Sequence, residues 1–170
     1  MTLKRAFWGL FVLMAVNYLI MVFWSLPQLM VEGALPFDLR PAGYSPDDAR
    51  AYLSGLSPEA RAFYLGPQHW LDTAYPALLL LTLGVAFHRL FGRGIAWGAT
   101  AVAGAAAGFD WLENAAVSGM LMMDPGGVTD ALVQAASRWT VLKSTAVPVA
   151  LTLLMIGAGR KLWLRKRERT

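Results

Sequence analysis

Residues 67–90 read PQHWLDTAYPALLLLTLGVAFHRL, an apolar run of 24 residues whose centre is Ala77-Leu78-Leu79-Leu80-Leu81. A hydrocarbon layer of about 30 Å needs roughly 20 such residues in a helix. The run lacks the period-2 alternation of an outer-membrane barrel strand. Backbone facing lipid must satisfy its own hydrogen bonds, which leaves a helix. Working outward from it, three further runs of the same kind appear, at about 6–26, 95–121 and 137–158. The expected fold is therefore all-α, an integral membrane four-helix bundle in one domain. An outer segment, 27–66, separates the first two spans, and a basic tail occupies 159–170. Lys4 and Arg5 before the first run suggest a signal peptide. Its length exceeds the usual 7–15 residues and no small-residue cleavage site follows, so we read a retained span.

Composition agrees. The 170 residues are 56% hydrophobic and 15% charged, against about 45–50% and about 25% in an ordinary soluble domain. Intrinsic disorder needs the opposite balance. Without cysteine there can be no disulfide, thiolate metal site, Fe–S cluster or cysteine nucleophile.

The net charge of +4 is unevenly placed. Lys4, Arg5, Arg89, Arg93, Arg160, Lys161, Arg165, Lys166, Arg167 and Arg169 make ten of fifteen basic residues on one side of the expected spans. On the other side, Arg40, Arg50 and Arg61 are outnumbered by Glu32, Asp38, Asp47, Asp48 and Glu59. The positive-inside rule puts both termini in the cytoplasm. The basic tail is then an orientation signal that touches anionic lipid heads, and no nucleic-acid motif accompanies it.

In the outer segment two similar phrases, SPDDARAYL at 45–53 and SPEARAFYL at 57–65, each begin with a serine N-cap, proline at the first helical position and acid in the first turn. They predict two short helices that lie at the outer interface or roof the bundle, with Gly66-Pro67 breaking the chain before the second span. Asp124-Pro125-Gly126-Gly127 predicts a turn, and Thr129 or Asp130 a longer start to the last helix.

Charged side chains inside spans are expensive and tend to face the bundle interior. Span three carries FDWLEN at 109–114, which puts Asp110, Glu113 and Asn114 on one helix face. At ~1.5 Å per residue, Glu113 lies about 12 Å from the outer end of its span, Asp72 about 8 Å, Lys143 about 9 Å and Asn17 about 13 Å. His69 and Arg138 lie nearer the rim. Every helix thus brings a polar group to the outer half of the membrane. Such a set can exchange protons, orient a polar ligand head, hold a metal, or merely specify helix packing.

A zinc site of His69, Asp72 and Glu113 lacks any usual zinc signature, so no metal and no cofactor is expected. No nucleophile elbow, Walker loop or dinucleotide fingerprint occurs. Gly104 and Gly108 form a G-x-x-x-G pair suited to close helix packing or to a homo-oligomer. Pro76 and Pro148 are expected to kink or loosen their spans. Trp24, Trp70, Trp97, Trp139 and Trp163 fall near span ends as interfacial anchors.

The size, the four spans, the S-P-x-x-A-R-A-Y-L phrase and Asp110-Trp111-Leu112-Glu113-Asn114 resemble a group of small uncharacterised bacterial four-helix inner-membrane proteins, a resemblance that covers most of the chain and brings no known activity. It implies a bacterial inner-membrane location. Helix count, length and buried carboxylates are also similar to the sterol isomerase and sigma-2 receptor superfamily, from which no residue role is carried over.

The expected function is binding of a small amphipathic or lipid-like ligand in an outer-leaflet polar cavity, with Asn17, His69, Asn114, Arg138 and Lys143 as ligand contacts. If the protein is an enzyme, Glu113 or Asp110 serves as general acid/base, with Asp72 as partner and Lys143 as charge stabiliser. The alternatives are a proton-linked transporter subunit and a structural or assembly protein whose polar network only packs helices. Membrane lipids are expected partners.

Overall fold

The computed structural model describes residues 2–168 and is all-helical, with no strand among them. Five helices are defined: α1 Leu3–Leu29, α2 Pro46–Gly55, α3 Pro58–Leu90, α4 Arg93–Leu121 and α5 Asp130–Arg167. Of these, α1, α3 and α5 are long and apolar enough to cross a membrane. α4 is comparably long but does not meet the same standard of length and apolar composition.

The helix starts follow from capping chemistry. Ser45 Oγ accepts the amide of Asp48 at 3.1 Å, while the Asp48 carboxylate accepts the Ser45 amide at 3.1 Å, a reciprocal capping box. Ser57 Oγ accepts the Ala60 amide at 3.1 Å, and Thr129 Oγ1 accepts that of Leu132 at 3.3 Å. The last helix therefore begins seven residues before Ser137 and also absorbs most of the basic tail.

The expected break at Gly66-Pro67 does not occur. α3 runs without interruption from Pro58 to Leu90, and Pro67 lies inside a wide π-turn, Tyr64–Gln68. Proline supplies no amide and crowds the carbonyl four residues back. The widened turn accommodates both, with the His69 amide reaching back five residues to the Tyr64 carbonyl. A matching π-turn, Met21–Ser25, interrupts α1, where the Leu26 amide reaches the Met21 carbonyl.

α4 packs along α3 on one side and α5 on the other, and α1 packs along α3. The close face of α4 is built by Ala96, Ala99, Ala103, Ala106 and Ala107, all buried. The G-x-x-x-G pair does not mark it: a Cβ on Gly104 would meet only Leu80 Cδ1 at 4.0 Å, and one on Gly108 nothing within 4 Å. Between the long helices a glycine that does permit close approach is Gly157 of α5, where a Cβ would lie 2.6 Å from Phe91 Cζ.

Two apolar cores flank a polar layer. One joins Leu83, Phe87, Ala99, Ala103 and Ala150. The other lies under the outer segment, where Phe37, Tyr52 and Leu53 pack on Met120, Leu121 and Val133. α2 therefore roofs one end of the bundle. Arg61 ties the roof down: its Nη1 donates to the Leu121 and Met123 carbonyls at 2.6 and 3.1 Å, and its Nη2 to Leu53 at 2.9 Å. Outside these cores many large apolar side chains face outward, among them Phe23 and Met155, 75% and 73% exposed.

Candidate functional site

The polar layer consists of two networks. In the first, Asp110 and Glu113 of α4 meet Thr140 and Lys143 of α5, each pair one helical turn apart. The Lys143 ammonium sits between the carboxylates, 3.5 Å from Asp110 Oδ1 and in direct contact with Glu113 Oε2. The Thr140 hydroxyl donates to Glu113 Oε1 at 2.6 Å. Glu113 is completely buried. A buried anion is tolerable only when paired and hydrogen-bonded, and here both oxygens are engaged. Above it the outer segment lays Tyr44, whose amide donates to Ser137 Oγ at 2.9 Å. Burial raises the Tyr44 phenol above its usual range; Thr140 opposes the rise and the Glu113 charge adds to it.

The second network belongs to α1, α3 and α4. Gln68 Nε2 donates to Asp72 Oδ1 at 2.7 Å, and Gln68 Oε1 accepts the Ser25 hydroxyl. Ser25 and Gln68 are the last residues of the two π-turns, so both helices widen at one level and join there. Among the described residues no hydrogen bond or ion pair links Asp72 to Lys143. The structure thus brings Asp110, Glu113 and Lys143 together and leaves Asp72 in a neighbouring set.

Asn17 and Asn114, expected to contact a ligand, instead serve the backbone of α3. Pro76 has no amide to give the Asp72 carbonyl four residues back. Asn114 Nδ2 donates to that carbonyl at 3.0 Å. Next to it Trp111 Nε1 donates to Thr73 O at 3.1 Å, and Asn17 Nδ2 to Leu71 O at 3.2 Å. Three side chains from α1 and α4 thereby solvate three successive carbonyls beside the proline. This is a repair of helix backbone, and its signal was Pro76 four residues after Asp72.

His69 Nδ1 lies 3.3 Å from Ser118 Oγ, beside a pocket of about 10 Å³ that also touches Asp72 and Asn114, room for a single water at most. Arg138 is exposed and joins neither network. The three residues considered for zinc go to different partners: His69 to Ser118, Asp72 to Gln68, Glu113 to Lys143. Among the described residues no three metal-type ligands gather.

A larger space than this pocket lies beside the second network. A cavity of about 240 Å³ opens between α1, the start of α3 and the outer segment. Tyr18, Met21, Val22 and Leu26 form an apolar wall; Ser25, Gln68 and Asp38 form the polar end. Asp38 is held from behind by the Tyr64 hydroxyl, which donates to its Oδ1 at 3.3 Å. Sequence reasoning missed Ser25 and Asp38, because the loop carrying Asp38 has no periodicity that would aim it. Comparison with known protein families, curated proteins and solved structures finds no match for this chain.

Proposed function

We propose that the protein is a four-span membrane protein, in the inner membrane of a bacterium with both termini cytoplasmic, that holds a small amphipathic molecule in the cavity between α1 and the outer segment. Long helices whose outward side chains are large and apolar favour a bilayer, and the charge asymmetry favours this orientation. α4, which falls outside the three most apolar long stretches, is screened on two sides by α3 and α5.

The observation that carries the ligand reading is the pair of facing π-turns, Met21–Ser25 and Tyr64–Gln68, whose last residues border the cavity. Such turns cost helix hydrogen-bond geometry and recur at functional sites. At ~30 Å³ per water, the space equals about eight waters. It fits a ligand head and the first carbons of a chain, the remainder lying along the exposed flank of α1. The Asp38 carboxylate, an acceptor, selects a head that donates, a hydroxyl or an ammonium. Asp110, Glu113 and Lys143 act in this reading as scaffold, since Glu113 is sealed and its oxygens are occupied. That weakens the acid/base role expected for it, and Asp38 is the carboxylate that a bound molecule would meet.

Mass spectrometry of small molecules co-purifying in mild detergent tests the proposal. A species retained by wild type and depleted at least tenfold in Val22→Trp, which fills the cavity, is the expected result; Asp38→Asn should deplete it if the head is cationic. Identical small-molecule content in wild type and a folded Val22→Trp protein refutes the reading.

A further inference from the structure

At the end of the bundle opposite the roof, α1, α3 and α5 diverge around a cleft of about 560 Å³. Four cations from three helices line it: Lys4, Arg89, Lys161 and Arg165. No acidic residue lines it, and none of the four has a carboxylate partner among the described residues. The positive-inside rule accounts for their side of the membrane, and helix C-terminal carbonyls favour nearby cations. Neither accounts for their convergence on one space, where like charges repel.

The cleft is also pre-shaped. Lys161 Nζ donates to the Arg89 carbonyl at 3.0 Å, which fixes the ammonium at the mouth with further N–H bonds to give. The Arg89 guanidinium lies over the Phe7 ring at 5.6 Å, its orientation set by a cation–π contact. Below the charges the wall turns apolar, with Phe7 and the half-exposed Trp8 on α1. Cations above and hydrocarbon below match a phosphate headgroup with its acyl chains.

We propose that this cleft binds the headgroup of an anionic glycerophospholipid, its phosphate between Arg89 and Lys161 and its chains along Phe7 and Trp8. The proposal rests on the membrane orientation given above and is independent of the cavity at the roofed end. Free inorganic phosphate offers the same anion without the chains, so the two sources must be separated.

Native mass spectrometry of the full chain in neutral detergent does so, with phosphatidylglycerol, phosphatidylcholine of the same chains, and inorganic phosphate as probes. At about 1 kcal/mol per basic residue near the surface, each cation removed should weaken phosphatidylglycerol binding about fivefold. Arg89→Gln with Lys161→Gln is then expected to lose about 25-fold and Arg89→Gln alone about fivefold, while Arg160→Gln, the same single charge removed outside the cleft lining, loses less than twofold. Phosphatidylcholine should bind at least tenfold more weakly than phosphatidylglycerol. Should the double variant fail to fold, exposed Arg165→Gln carries the same comparison. Equal loss in Arg160→Gln, equal binding of the two lipids, or displacement of phosphatidylglycerol by equimolar phosphate would each overturn the proposal. Val22→Trp should leave phosphatidylglycerol binding intact; if it does not, the membrane fold itself has failed.

Discussion

A proline in the middle of a helix orphans a carbonyl, and this chain answers with side chains from its neighbours. The Asn114 amide is positioned by the same helical turn that carries Trp111 and Glu113, so one stretch of α4 both mends α3 and pairs with α5. Removing a partner from a buried polar group costs about 1–3 kcal/mol. Asn114→Ala should therefore lower stability by about that amount in detergent unfolding. In a Pro76→Ala background, where the backbone amide returns, the same substitution should cost less than half as much. A double-mutant cycle measures the difference, and additivity of the two changes would exclude the repair. This level was the least legible in the sequence. Depth along a helix follows from counting residues, which is why Asp110, Glu113 and Lys143 were found. Azimuth decides partners: Arg138 is five residues from Lys143, about 140° around the helix at 3.6 residues per turn, and points away from the network. Asn17 and Asn114 were seen as polar and deep, but the carbonyls they serve carry no mark except the proline.

Whole elements were easier to read. The long apolar runs and the serine-proline caps depend on local chemistry, and α1, α2, α4 and the start of α3 appear where that chemistry put them. What failed was the meaning of Pro67 and of the two glycines, since a wide turn and an alanine-built interface depend on tertiary fit. Gly157→Ala should destabilise by about 1–3 kcal/mol through overpacking, because the new methyl would meet Phe91 and Leu90. Gly108→Ala should be neutral or stabilising by up to about 1 kcal/mol. Thermal unfolding of the two variants discriminates an interface at Gly157 from one at Gly108. In α2 the Ser45 hydroxyl and amide hold the Asp48 carboxyl below its usual range. A depressed acid stabilises above the unfolded-state value and loses that contribution as pH falls through the folded one. Amide exchange in α2 should thus stay slow on acidification until the ordinary carboxylate range is passed, then quicken. Ser45→Ala should move the Asp48 titration upward, followed by NMR.

At the scale of the molecule, the natural absence of cysteine gives a clean test of orientation. Ser54→Cys on the roof helix α2 and Glu168→Cys at the end of α5 are single thiols at opposite ends. In intact cells with a permeabilised outer membrane, a membrane-impermeant maleimide should label the first and spare the second, and should label both after lysis. The reverse pattern would invert the proposed topology, and equal labelling in intact cells would argue against a bilayer altogether. The assembly as a whole, helices around a polar waist with an acidic loop at one end and bases at the other, was legible because hydropathy and charge are summed over many residues. The cavity beside Asp38 was not, because it is what remains after irregular chain and two widened turns have packed.

α5 is one unbroken piece of 38 residues, about 57 Å at ~1.5 Å per residue. Near its beginning it holds the outer segment through Ser137 and Asp130, and near its end it supplies Lys161 and Arg165 to the cationic cleft. Between them, at Lys143, it is pinned to α4. Its length, set by backbone hydrogen bonds within one helix, fixes how far apart the loop's anchorage and the cationic cleft stand.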